Sequence, residues 1–519
     1  MADNERAFPL WWWMIPILLL TTYLGASYLT VDVLWMDEWF TFYQTGGGPI
    51  ENKSIPEIII VVYQFLSWPP GFFLSFAVWD NLLGAVIFSD RVFSLCLGLI
   101  AVSLMYRLGK CIQSNWFGLL SALIFSTSAF FVYYLHEMRP YTMYMVVVIL
   151  NAWLYWMLVK NPKAGRTLRW GFVFSITLTL YTHYIAAICV FSIGVYHIVF
   201  ARQELAKDHW LRILKLGFNG CLLFAPWVAA MLVTVYNESL FPRSDPLPIM
   251  LYNILNSFTN GLIWLNIGFF LTLRWWKKGI IRFIWLWIII VLAVTILVNA
   301  YADFLYHPRY VMGILPMVVL LFAYTLLIIA QWKREVTALL LGLWVGMGFI
   351  YSVSPLPFME RIPAHLTGIS RTTNDTIVDI GESCIADNDF ALYGITPADI
   401  QRSFDVPLNN YLVNVDYAYT HVGAIVADVE FPSLLSPEEF YTQSPSARLQ
   451  EATENADSVW VFSLPNVPIQ SDLLALNTLL LDAGYTYCGA VVDRSDLLGT
   501  LYTRDASMCQ QIITSCSGN

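Results

Sequence analysis

Charge is what this sequence has least of. Asp, Glu, Lys and Arg make up 13% of the 519 residues, about half the usual share in a soluble domain. The scarcity is uneven. From residue 11 to about 353, nearly continuous apolar runs alternate with short charged punctuation, whereas the remainder reads like an ordinary soluble domain. Basic surface is missing as well: after Pro355 there are 6 Lys/Arg against 21 Asp/Glu, leaving 22 basic and 16 acidic residues before it. Nucleic-acid binding would need a basic face on the soluble part and is excluded. There is no Walker loop, no GxSxG, no HExxH and no paired CxxC. No ligand spacing argues for a metal, and a divalent ion is neither required nor ruled out. The N-terminus lacks a basic n-region and a small-residue cleavage site, and its apolar stretch continues to Val31. That is too long for a signal segment, so an uncleaved first helix is expected.

What is abundant is apolar surface: 58% of residues are hydrophobic and mean hydropathy is +0.60. Runs near 20 apolar residues match the thickness of a bilayer. Lys and Arg cluster at Arg107/Lys110; Lys160, Lys163, Arg166 and Arg169; Arg202, Lys207, Arg212 and Lys215; Arg274, Lys277, Lys278 and Arg282; and Lys333/Arg334. The alternate connections hold only Lys53, Arg91, Arg139, Arg243 and Arg309. Cytoplasmic loops carry the Lys/Arg excess, so the clustered loops face inward. The spans predicted between them are 11–31, 91–108, 116–134, 142–158, 170–182, 184–200, 212–235, 254–273, 283–300, 310–331 and 336–353. Eleven spans with an inside N-terminus leave the C-terminal part outside.

The expected architecture is mainly α: a polytopic helical bundle, 1–353, with a long first external loop, 32–90, followed by a soluble extracytoplasmic α/β domain, 354–519. Within the loop, 55–68 and 71–88 read as helices lying in the membrane interface. In the domain, Ser458–Phe462 and Tyr485–Val492 read as strands and Asp472–Leu481 as a helix. Cys384, Cys488, Cys509 and Cys516 permit two disulfides in an oxidising compartment, expected to involve the C-terminal pair Cys509/Cys516 and the strand residue Cys488.

Charges at the bilayer boundary carry the functional information, because intramembrane charge is costly. Asp37 and Glu38 follow the first helix in an aromatic setting, where a partly desolvated carboxylate can act as a general base. His136, Glu137, Arg139 and Tyr141 share a tight external turn, and guanidinium groups pair well with phosphate oxygens. Thr182-His183-Tyr184 breaks an apolar run at the same face, and Asp303 to Tyr310 forms another external turn with Arg309 beside His307. On its own, each segment also fits an ordinary loop charge, an interface anchor or a structural histidine. Their convergence on one face does not follow from that reading.

At these residues the chain resembles the membrane-embedded glycosyltransferases of the C superfamily, in particular family 39 and its bacterial relatives. These include protein O-mannosyltransferases and lipid A aminoarabinose transferases. The matching elements are Asp37-Glu38 after helix one, Trp68-Pro69-Pro70, Arg91 opening helix two, Glu137-x-Arg139-x-Tyr141, Thr182-His183-Tyr184, and Arg309-Tyr310 running to Pro316. They cover roughly residues 11–331. Trp68 stands where a His often precedes Pro-Pro, and His136-Glu137 where Gln-Glu is usual. The resemblance implies transfer of a sugar from a polyprenyl-phosphate carrier to a hydroxyl on a protein, lipid or glycan, with inversion. It implies Asp37 as base, Glu38 placing the acceptor, and Arg139, Arg309 and His183 on the donor phosphate. Glu137, Tyr141 and Arg91 would support them, and the location would be the plasma membrane. The competing class is a transporter or lipid flippase, but transporter sites sit near the midplane on broken helices, and here the charges gather at one end of the spans.

Overall fold

Helices account for most of the described residues up to 353 in this computed structural model. It describes residues 10–27, 29, 36–46, 53–65, 68–84, 87–234, 246–302, 305, 307–353, 380, 384, 390–393, 413–415, 456–463, 477–478, 480–493 and 498–516. A short turn (Leu10–Trp13) leads into α1 (Met14–Ala26), and three helices follow in the long first connection: α2 (Met36–Thr45), α3 (Ile55–Phe65) and α4 (Gly71–Leu83). Then come α5 (Ile87–Ile112), α6 (Asn115–Ser126), α7 (Ala129–Tyr133) with the turn Tyr134–His136, α8 (Tyr141–Lys160), α9 (Arg166–Thr182) and α10 (Ala186–Tyr196). A π-helical turn (His197–Ala201) passes into α11 (Arg202–Glu204), α12 (Lys207–Leu222) and α13 (Ala225–Thr234). The bundle closes with α14 (Leu247–Ser257), α15 (Leu265–Phe269), α16 (Gly279–Ala302), a 3-10 segment Pro308–Ile314, α17 (Leu315–Ala330) and α18 (Arg334–Val353).

This is an integral membrane protein. Among the described residues, six helices are long and apolar enough to cross a bilayer, eight if each bent pair is one span. Leu19, Leu232, Ile267 and Leu297 are exposed, the arrangement expected where lipid rather than water is the solvent. α17, with the 3-10 segment before it, is almost wholly buried at the centre, and α18 lies at the periphery with most of its residues at least partly exposed.

The expected spans find a helix or bent pair at every position but one. The 254–273 span is instead interrupted: α14 ends at Ser257, and Asn260 and Gly261 take φ values of +50° and +76°, a region that no right-handed helix passes through. A hydropathy average over a span-length window passes over the polar run Asn256-Ser257-Phe258-Thr259-Asn260, because the stretches on either side are apolar. The break has a partner. Asn260 Oδ1 accepts the Ala129 N–H (2.9 Å), and its Nδ2 donates to the carbonyls of Thr127 (2.9 Å) and Trp344 (3.0 Å). It thereby satisfies backbone groups freed where α6 bends by 59° into α7.

Beyond residue 353 the described residues hold a five-stranded sheet ordered β2-β1-β3-β5-β4: β1 (Phe390–Tyr393), β2 (Val413–Val415), β3 (Ser458–Ser463), β4 (Thr486–Asp493) and β5 (Leu498–Thr503). Only β1 and β3 are parallel; the other neighbours run antiparallel. The two expected strands are β3 and β4. Of the expected 472–481 helix, residues 477, 478, 480 and 481 are described, and they are helical. Disulfides join Cys384 to Cys516 and Cys488 to Cys509, tying the final helix α19 (Cys509–Cys516) to the sheet.

Candidate functional site

The site is built on the turn between α7 and α8. Its apolar anchor is Leu135, whose side chain fills the space where Gly25 of α1 and Gly98 of α5 would carry a Cβ. Glycine at both positions lets the turn sit directly on the two helices. Ser94 of α5 donates to the Glu137 carbonyl. Glu137, Met138 and Arg139 are therefore held in place although none of the three belongs to a helix.

α2 closes over this turn through Glu38. Both Glu38 oxygens meet Arg91 at the start of α5, Oε1 accepting from Nε (3.1 Å) and Oε2 from Nη2 (2.9 Å), while Oε1 also accepts the Met138 N–H (3.1 Å). Arg91 Nη1 reaches the Leu29 carbonyl beyond α1 (3.1 Å). Glu38 and Arg91 are both fully buried. A bidentate pair with a third hydrogen bond satisfies the carboxylate, as a buried charge requires. One turn along α2, Thr41 donates to the Met138 carbonyl (2.7 Å) and accepts from Arg139 Nη1 (3.3 Å).

Arg139 is buried, its Cζ lying 5.3 Å from the centre of the Trp68 ring. The Trp68 ring meets His183 edge-on (4.6 Å, 74°) and Tyr141 likewise (6.1 Å, 89°). Arg309 enters from the far end of the chain, its Cζ 5.5 Å from the rings of Tyr141 and Tyr310. His183 sits where α9 gives way to α10 and stacks on Tyr144 (4.8 Å, 23°). Its Nδ1 accepts the Ile185 N–H (3.1 Å), and burial, with Arg139 and Arg309 nearby, pushes its pKa down to about 3. The imidazole is therefore neutral at any physiological pH. Two guanidiniums and a neutral histidine thus share one aromatic-lined recess, in a low-dielectric setting that strengthens contact with an anion. Beside it, Pro70 and Gly71 open onto an apolar groove of about 570 Å³ lined by Ile59, Leu74, Leu178 and Trp227.

Residues 67–229, from Ser67 into α13, match the family model for dolichyl-phosphate-mannose-protein mannosyltransferase. The structure is similar to that of ArnT from Cupriavidus metallidurans in the apo state (TM-score 0.59, 11% identity, covering 96% of this chain and 98% of that one). The likeness is one of fold, shared over nearly the whole of both chains. ArnT bound to undecaprenyl phosphate is also similar (TM-score 0.56, 13% identity, 96% and 99% coverage). No curated protein sequence matches significantly.

Within this fold, Glu38, Arg91, Glu137, Arg139, Tyr141, His183 and Arg309 converge, from positions spread over about 270 residues. Glu137 is buried with its carbonyl on Ser94. Asp37 lies on α2, one turn before Thr41, and its side chain lies outside the described residues, as do Asp303 and Tyr306. Among the described residues no cluster of three or more His, Cys, Asp or Glu could hold a metal. Trp68 was legible in the sequence only as a departure from the family pattern, and its place over Arg139 follows from packing. Thr41 gave no signal at all.

Proposed function

We propose that the chain transfers a sugar from a polyprenyl-phosphate carrier to a hydroxyl acceptor on the non-cytoplasmic face, with inversion at the anomeric carbon. The observation that carries this reading is the buried convergence of Arg139, Arg309 and neutral His183 around aromatic rings. Such a recess suits a phosphodiester, whose single charge two guanidiniums can meet. ArnT, which shares this fold, has been solved with undecaprenyl phosphate. The neighbouring apolar groove offers a path for a prenyl tail, and the gathering of charge at one end of the spans suits surface chemistry rather than passage.

Asp37 is assigned as the base that takes the acceptor proton. Glu38 receives a different role from the one its sequence position implies. Its oxygens are engaged by Arg91 and the Met138 N–H, so it acts by positioning α2 rather than by touching the acceptor. Residues 1–353 form the transferase and 354–519 an extracytoplasmic domain of the plasma membrane protein. Two disulfides in that region support an oxidising compartment.

The test is a reconstituted assay. Proteoliposomes should consume a polyprenyl-phosphate sugar when an acceptor is present, and Arg139→Ala should lower kcat/KM for that donor by about 10- to 100-fold, the scale of one charge-assisted bond. Arg139→Lys should recover part of the loss, because it restores charge without the planar fork. Transfer from a nucleotide sugar with no polyprenyl phosphate present would refute the assignment.

A further inference from the structure

We propose that His307 touches the donor: its Nε2–H is a fixed, neutral hydrogen-bond donor to the carrier phosphate, beside Arg309. This rests on the lipid-phosphate reading above and adds to it a residue and a role.

The local sequence His307-Pro308-Arg309 sets the geometry. His307 is the N-cap of the segment Pro308–Ile314, and its Nδ1 accepts the Arg309 N–H (3.1 Å). Pro308, at the first position, has no N–H to offer, so Arg309 supplies the first backbone N–H of the segment. The cap thus fixes two things together: the start of the backbone that carries Arg309, and the orientation of the imidazole. With Nδ1 accepting, the proton of the neutral ring resides on Nε2, on the side turned away from the cap. The ring is fully buried, and Nε2 has no hydrogen-bond partner among the described residues. Buried donors without acceptors are rare, because desolvation removes their water and gives nothing back. Burial and the Arg309 guanidinium hold the His307 pKa well below the ordinary histidine value.

The same device occurs a second time on an unrelated element. His183 turns Nδ1 onto the N–H of the second residue along, Ile185, and its buried Nε2 also has no partner among the described residues. Both rings lie within electrostatic reach of Arg309. Two neutral N–H donors flanking a guanidinium are an incomplete site for an anion that needs hydrogen bonds as well as charge.

The chemistry explains why the donors should be neutral. In the transfer, the bond between the sugar C1 and the phosphate oxygen breaks, and its electron pair stays on that oxygen. The bond from the acceptor oxygen to C1 forms, and the acceptor proton passes to the carboxylate base. The carrier phosphate therefore goes from a singly charged diester toward a doubly charged monoester. A donor locked in place binds the more highly charged state more strongly, which is selective stabilisation of the transition state and product. A ring this resistant to protonation holds the leaving phosphate without giving it a proton.

The cap and the donor can be separated by substitution in the full-length protein in proteoliposomes. His307→Asn keeps an acceptor for the Arg309 N–H but has no group at the Nε2 position. Its melting temperature should stay near wild type, while kcat falls about 10- to 100-fold and affinity for polyprenyl monophosphate, used as the binding probe, falls about 10-fold. His307→Gln carries its amide N–H near the Nε2 position and forfeits the cap. It should melt lower than the Asn variant and yet turn over faster. This inverted order of stability and activity is the expected result. If activity instead follows stability, with His307→Asn near wild type in kcat and probe affinity, His307 is a cap alone and the proposal is overturned. A wild-type protein that neither uses lipid-linked donors nor binds the probe would instead remove the lipid-phosphate reading itself.

Discussion

Removing Glu38 should unfold the entry to the site before it alters any chemistry. In Glu38→Ala, Arg91 keeps a buried charge whose Nε and Nη2 lose the Glu38 carboxylate, while Nη1 stays on the Leu29 carbonyl. Breaking a buried pair from one side costs about 3–5 kcal/mol, and the orphaned Met138 N–H contributes roughly 1–3 kcal/mol more if water cannot reach it. The two overlap, so a loss of about 4–6 kcal/mol is expected. Glu38→Gln keeps an acceptor for Met138 and should fall between Ala and wild type. Replacing both partners, Glu38→Leu with Arg91→Leu, removes both charges and should recover most of the loss, since apolar substitutes for buried pairs are often neutral or stabilising. The assay is thermal unfolding of the detergent-purified protein, as a double-mutant cycle, with transferase activity measured alongside. A Glu38→Ala protein as stable as wild type would refute the clamp. A double variant that regains its stability while kcat stays more than about 10³-fold down would return Glu38 to the chemistry.

Asp37→Asn keeps shape without proton-accepting ability and should reduce kcat by at least ~10²-fold with little change in stability; near-normal turnover would move the base elsewhere. Single cysteines replacing Lys163, Lys207 and Lys278 should be shielded from impermeant reagents in intact cells, whereas positions in 354–519 should react; labelling of the basic loops from outside would reverse the topology. Non-reducing peptide mapping should recover Cys488 linked to Cys509 and Cys384 linked to Cys516. Free thiols at all four of Cys384, Cys488, Cys509 and Cys516 in protein purified without reductant would reject both bridges and weaken the external placement of the domain.

Much of this molecule is written locally in its sequence. Where apolar runs meet the length a bilayer demands, helices form, and the break at His183 between α9 and α10 falls where the Thr182-His183-Tyr184 motif places it. The strands β3 and β4 follow from alternating and β-branched residues between turn formers. The boundary charges were also legible, because a charge inside a membrane has few innocent reasons to be there. What the sequence could not assign was the use each charge is put to. Glu38 and Asp37 are neighbours of the same chemical type, yet one meets an arginine 53 residues away and a backbone N–H 100 residues away. The interruption at Asn260 likewise depends on a bent helix 131 to 133 residues earlier whose freed backbone groups it completes. His307 reads in sequence as a polar residue before a proline, and only the cap on Arg309 turns it into an oriented donor. Propensity and hydropathy are sums over near neighbours, whereas hydrogen bonds and buried ion pairs are short-ranged in space and indifferent to separation along the chain, so only the packed structure decides which polar groups find each other.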